Sequence, residues 1–205
     1  PNTYQTLKSM EHGYAVFGKM GDDHNFRGII LVRKDSAIQH VSDLKGKTVS
    51  FPAPTALAAT MMPQRFLHDN GLNITNDIES LYVGSQESSI MNVYLGKSVA
   101  SSTWPSPWLS FIQERPEVAQ ELKVMWETPS LLNNGLVVKK SIDSALVHQI
   151  SNLLLNLHTH PEGQRILKAM QLSRFEPANN QTYEPVRLFL EAFERDVRAI
   201  RLNND

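Results

Sequence analysis

Hydroxyl, amide and small apolar residues gather at two points of this 205-residue chain where a strand runs into a helix. At the first, Thr55 follows Pro52, Ala53 and Pro54 and precedes Ala56, Leu57, Ala58 and Ala59. The prolines bias the backbone away from helix through Ala53, so Thr55 is predicted to cap a helix beginning at Ala56. The first turn of a helix leaves N–H donors unpaired and carries a partial positive charge, and small side chains let a ligand come close. Thr55 and the N–H groups of Ala56 and Leu57 would then hold a small oxyanion without a lysine. At the second point, Ser85, Gln86, Glu87, Ser88 and Ser89 open a helix after an apolar run at 78–83, which repeats the device with Gln86 and Ser88. Each segment taken alone is equally an ordinary capped helix of an α/β domain.

The elements that position these groups follow from short β-branched and aromatic runs. Residues 29–32 and 48–51 read as buried strands bounded by Gly, Asp and Lys, with Gly46 supplying the turn between them. Ile90, Val93 and Tyr94 sit at helical spacing after Ser85, and Gly96 ends that helix. Pro105 and Pro107 are predicted to stop regular structure and to leave Trp104 and Trp108 on a loop, where Trp104 either walls a cleft or packs at the surface. Residues 122–126 form a further strand, and Asn133-Asn134-Gly135 a turn into a strand ending at Lys139. An amphipathic helix over 141–158 is capped by Ser141, with Ile142, Leu146, Ile150, Leu153, Leu154 and Leu157 expected in the core. Pro161 starts another helix and Glu184 begins a third, reaching Leu202.

The run Gly28-Ile-Ile-Leu-Val-Arg-Lys-Asp-Ser36, then Asp43-Leu-Lys-Gly-Lys-Thr-Val-Ser-Phe51 and a Pro/Thr helix start, resembles the phosphate, phosphite and phosphonate group of periplasmic binding proteins, the solute receptors of ABC importers. The phrases around Glu162-Gly163, Phe175-Glu-Pro-Ala178 and Tyr183-Glu-Pro-Val186 are similar to the C-terminal part of the same family. The resemblance implies ligand contacts from Tyr4, within a Pro-x-x-Tyr phrase at residues 1–4, and from Asn134. Two positions depart from the family pattern. Gln86 stands where the family has a histidine, and Asn134 where it has an acid associated with a ligand amine. Without that carboxylate an aminoalkyl phosphonate is disfavoured, whereas Asn134 still donates to an anion and accepts from a hydroxyl. The family also has a first part of lobe one upstream of residue 1. If that part were absent, lobe one would expose a sheet edge open to pairing with another chain.

Composition narrows the field further. A net charge of −1 predicts no nucleic-acid surface, and no apolar run approaches the roughly 20 residues of a membrane span. With no cysteine there are neither disulfides nor thiolate chemistry. His158 and His160 with Asp22, Asp23 and His24 diverge too much for a metal set, so no metal or cofactor is expected. Arg27, Arg33 and Lys34 read as a solvated edge. No nucleophile elbow, P-loop or zinc-protease motif is present, so an enzyme is not expected. A related two-lobed enzyme acting on a thiamine precursor would need an acid or nucleophile that Gln86 and Asn134 do not supply.

The expected architecture is therefore an α/β, two-lobed, type II periplasmic-binding-protein-like fold lacking the N-terminal part of lobe one. Residues 1–30 and 127–205 belong to lobe one and 31–126 to lobe two. A small anionic ligand in the interlobe cleft would be held by Tyr4, Thr55, Ala56, Leu57, Gln86, Ser88, Trp104 and Asn134. The partner is a membrane permease of an ABC transporter and the location periplasmic. The alternative is an extracytoplasmic sensing domain of the same fold that reports to a membrane signalling partner.

Overall fold

The computed structural model describes residues 2–200. In chain order the elements are α1 (Thr3–Glu11), β1 (Tyr14–Met20), β2 (Ile29–Arg33), β3 (Lys47–Phe51), a π turn (Leu57–Met61) running into α2 (Met62–Asp69), β4 (Ile78–Tyr82), α3 (Gln86–Tyr94), β5 (Ala100–Thr103), α4 (Pro105–Glu114), α5 (Pro116–Ala119), β6 (Leu122–Glu127), β7 (Gly135–Lys139), α6 (Ser144–Leu155), α7 (Pro161–Ala169), β8 (Phe175–Glu176) and α8 (Glu184–Asp196). The expected α/β class is met. Packing divides the chain into two compact units: residues 2–24 with 131–189 form unit 1, and residues 25–130 with 190–200 form unit 2. The last stretch, expected with the first unit, packs with the middle of the chain. Pro1 and Leu202 lie outside the described residues, and the helix expected to reach Leu202 ends at Asp196.

Unit 2 is built on a five-stranded sheet of order β4-β3-β5-β2-β6. β3 runs parallel to both β4 and β5, while β2 pairs antiparallel with β5 and β6. Residues 29–32 are buried on both faces of the sheet, which is why they read as an unbroken apolar run rather than an alternation. Ile29 and Leu31 meet Ile90 and Val93 of α3, Phe111 of α4, and Val118 and Leu122 in one core cluster. Gly28, just before β2, touches the start of α2: a Cβ there would lie 2.5 Å from Pro63 Cδ and 2.6 Å from the Ala58 carbonyl oxygen. Only glycine allows that approach.

Unit 1 holds a three-stranded antiparallel sheet of order β7-β1-β8. Leu167, Leu172 and Phe175 form its buried cluster, with Met20, Leu136, Leu154, Leu155 and Leu157 packed around them. α6 differs from expectation in two ways. Its cap is Asp143, whose carboxylate accepts from Leu146 N–H at 3.1 Å, in place of Ser141. Its apolar stripe is also not core: Ile142, Leu146, Ile150 and Leu153 are 44%, 48%, 43% and 64% exposed, while Leu154 and Leu157 turn inward.

Candidate functional site

Strand order in unit 2 sets where a ligand can sit. The chain leaves β3 for β4 on one side and returns from β4 to β5 on the other side of β3. β3, β4 and β5 are parallel, so their C-terminal ends share one edge, and each runs into a helix start there, at Leu57, Gln86 and Pro105. Ligands in open α/β sheets bind outside the carboxyl ends of the strands where the strand order reverses. That reversal falls between β3 and β5.

After β3 the local structure corrects the expected cap. Thr55 lies in a turn closed by the Ala56 N–H donating to the Ala53 carbonyl at 3.1 Å, so the cap position passes to Ala56, which offers no side-chain acceptor. The Ala56 N–H is therefore already used within the turn. The helix then opens wide: Met61 N–H donates to the Ala56 carbonyl at 3.1 Å, five residues back. Pro63 supplies the physical reason. It lacks an N–H, and its ring crowds the carbonyl four residues earlier, that of Ala59, so a π turn relieves the clash. The Ala59 carbonyl instead accepts from the Ser102 hydroxyl on β5. Thr55 is half-buried, and the N–H groups of Leu57, Ala58 and Ala59 open the helix with no backbone acceptor among the described residues.

The starts after β4 and β5 meet each other. Ser85 caps α3, accepting from the Ser88 N–H at 3.0 Å and donating to the Ser88 hydroxyl oxygen at 2.8 Å. Gln86 Oε1 accepts from the fully buried Thr103 hydroxyl at 2.7 Å, which ties the first residue of α3 to the last of β5. The neighbouring Ser89 hydroxyl bridges to the carbonyls of Ser50 and Ser102 at 3.0 and 2.9 Å. Trp104 is the N-cap residue of α4, with its ring edge-on to Phe26 at 5.8 Å. The loop expected around Pro105 and Pro107 is instead the first turn of this helix, where a missing N–H costs nothing. Trp108 stacks on Phe111 at 6.0 Å and packs against the core.

Tyr4 and Asn134 both belong to unit 1. Tyr4 lies in the first turn of α1 with only 5% exposure, so its ring is a packing group there. The cap of that helix was legible but overlooked: Asn2 accepts from Gln5 N–H at 2.8 Å while the Gln5 side chain accepts from Asn2 N–H at 3.0 Å. Thr3, also missed, donates to Asn134 Oδ1 at 3.1 Å. Asn134 stands at the end of a longer network. Its N–H donates to Asn133 Oδ1, Asn133 N–H donates to Asp23 Oδ1 at 2.9 Å, and the buried Tyr183 hydroxyl donates to the Asn133 carbonyl at 2.6 Å. Asp23 in turn pairs with Lys19 at 2.9 Å, and Lys19 with Glu176 at 2.7 Å. Burial alone would push the Lys19 amine down, but hydrogen bonds to Glu176 and Asp23 outweigh it and leave the amine raised. Asp23 pairs with Lys19, and Asp22 accepts from the Ser173 hydroxyl and N–H at 2.6 and 2.7 Å.

Comparison with known proteins identifies the family and the fold. The family model described as "ABC transporter, phosphonate, periplasmic substrate-binding protein" matches residues 1–183. A probable ABC transporter phosphite-binding protein of Prochlorococcus marinus (strain MIT 9301) is 21% identical over 199 residues, covering 91% of this chain and 66% of its own length. The phosphonates-binding periplasmic protein of Escherichia coli (strain K12) is 22% identical over 180 residues, covering 85% of this chain and 52% of its own. The chain thus spans between about half and two-thirds of the length of these curated relatives. A Prochlorococcus marinus (MIT 9301) protein solved in complex with methylphosphonate superposes with a TM-score of 0.82 at 18% identity, covering 95% of this chain and 77% of that one. The fold is that of the type II periplasmic binding proteins. This chain belongs to the family of periplasmic substrate-binding proteins of phosphonate ABC transporters.

Proposed function

We propose that the protein is the periplasmic receptor of an ABC importer and captures a small phosphorus oxyanion, which it delivers unchanged to a membrane permease. One observation carries this reading: three parallel strands of unit 2 each run into a helix start at the edge where strand order reverses, within a chain of this family. Backbone N–H groups at such starts suit an anion, and low-charge hydrogen-bonding side chains orient it. The contacts we assign in unit 2 are the Thr55 hydroxyl, the Leu57 N–H, Gln86, Ser88 and Trp104, and in unit 1 we assign Asn134. None of these is an acid, base or nucleophile poised for chemistry, which favours binding over turnover. Among the described residues no helix is long and apolar enough to cross a membrane.

The test is calorimetric titration with phosphate, phosphite, methylphosphonate, 2-aminoethylphosphonate and sulfate. One of the first three should bind, and Thr55→Val should weaken it about tenfold by removing one hydrogen bond to a charged ligand. 2-Aminoethylphosphonate should bind less tightly than methylphosphonate, because Asn134 leaves its ammonium without a carboxylate. Binding of none of the phosphorus anions would end this reading.

A further inference from the structure

We propose that Arg198 is a positioning residue for the anion-binding turn at Thr55, an inference that rests on the function proposed above. The segment 52–56 can do little to hold itself, because Pro52 and Pro54 have no N–H to donate. Its first three carbonyls are nevertheless engaged. Pro52 accepts from Gly84 N–H at 2.7 Å and Ala53 from Ala56 N–H at 3.1 Å, while Pro54 accepts from Arg198 Nη2 at 2.6 Å. The last of these comes from a side chain 144 residues away.

The guanidinium is itself fixed on several sides. Its Nε donates to Gln64 Oε1 at 2.8 Å, and the fully buried Gln64 donates in turn to the Tyr82 hydroxyl at 3.1 Å. Its planar group lies 5.1 Å from the Phe193 ring centroid and 5.9 Å from that of Tyr82. Such a planar fork, held by donors and stacked faces, is pre-organised in a way a lysine would not be. Burial pulls the Arg198 pKa down from its ordinary value, but a guanidinium remains charged at any physiological pH.

The consequence for the site lies in one peptide unit. The Pro54–Thr55 bond is trans, so its C=O and N–H lie in one plane and point in opposite directions. By holding the Pro54 carbonyl, Arg198 fixes the direction of the Thr55 N–H and of the residue that carries the candidate hydroxyl. Rotation of that peptide would forfeit a charge-assisted hydrogen bond. Arg198 need not touch the ligand to set its affinity.

The experiment compares Arg198→Gln and Arg198→Lys with Asp196→Asn, which removes the 3.0 Å Arg65–Asp196 ion pair from the same C-terminal segment without reaching the Thr55 turn. Affinity for whichever of phosphate, phosphite or methylphosphonate binds the parent protein is read by calorimetry, and ligand-free melting temperature in parallel. Arg198→Gln should weaken binding about tenfold, Arg198→Lys by less, and Asp196→Asn not at all, even where melting temperatures fall alike. Unchanged affinity in Arg198→Gln, with Thr55→Val still impaired, would overturn the inference and leave the function standing. Loss of affinity in Asp196→Asn equal to that in Arg198→Gln would reduce Arg198 to a stability contact and also overturn it. Full binding by both Thr55→Val and Arg198→Gln would remove the site from this turn and overturn the inference, while the receptor reading would stand on the binding itself.

Discussion

The two units solve the same problem, holding polar groups in fixed directions, by opposite means. In unit 2 the candidate groups are neutral and their placement follows from strand order: three strand ends on one edge, cross-tied by the Gln86–Thr103 and Ser102–Ala59 hydrogen bonds. In unit 1 Asn134 is reached through a chain of partners that ends in the ions Asp23, Lys19 and Glu176. Charge in unit 1 therefore serves as scaffolding behind a neutral amide, whereas unit 2 relies first on topology and adds the Arg198 guanidinium behind the Thr55 turn. A full charge beside a ligand would have to be desolvated at every binding event, while a charge buried at folding is desolvated once.

The comparison is most exposed to failure at Lys19. Lys19→Met leaves Asp23 and Glu176 without their shared cation, and because both carboxylates keep some solvent the loss should be about 2 kcal/mol, below that for a fully buried pair. Urea denaturation reads it, and a change under about 0.5 kcal/mol, within the range of an ordinary surface substitution, would mean that the ions are not scaffolding. In unit 2 the matching probe is Ser102→Ala, which strips the Ala59 carbonyl of its donor at a cost of about 1–2 kcal/mol. Adding Pro63→Ala restores a helical N–H to that carbonyl, so the double variant should lose less than the sum of the two single changes. Strict additivity would separate the π turn from the proline.

The smallest effect is a pH dependence contributed by the Lys19 cluster of unit 1. The hydrogen bond from Lys19 holds Glu176 below its ordinary value of 4.5. A carboxylate depressed in the folded state gives stability that is complete above pH 4.5 and is lost as pH falls through the lower folded value. Lys19, raised above 10.5, gives a contribution present below that pH and lost as pH climbs through the folded value. Denaturation between about pH 3 and 6 should thus show a shallower acid slope in Lys19→Met than in the parent. Equal slopes would unlink Glu176 from Lys19.

How far these features could be read from sequence depended on the range of the interaction. Strands 29–32 and 48–51 and the Ser85 cap are local patterns and were found. Pro105 and Pro107 were misread as a loop because proline marks a helix start as well as a break, and only the packing of Phe111 and Trp108 against the core decides between them. Thr55 lost its capping role to Ala56 through the turn that Ala56 N–H closes on Ala53. The π turn that follows comes from Pro63, eight residues past Thr55, through a crowding effect that propensity does not encode. The apolar spacing of α6 was read correctly as a stripe, but spacing does not say what lies against it. Lys19 inside a strand, and Arg198 clamping a turn 144 residues away, carry no local mark at all.

The hydrogen bond from Ser102 to the Ala59 carbonyl also orders events in time. Its partners are 43 residues apart, so the loop between them must close before the bond can form. The helix after β3 can gain its later turns from nearby contacts, but its opening turn waits for β5 to dock. A collapsed intermediate with most of its helix formed would still lack that turn's final shape, and would bind nothing there. Ligand capture would then report completed tertiary assembly, and a refolding experiment followed by binding should lag behind one followed by helical signal.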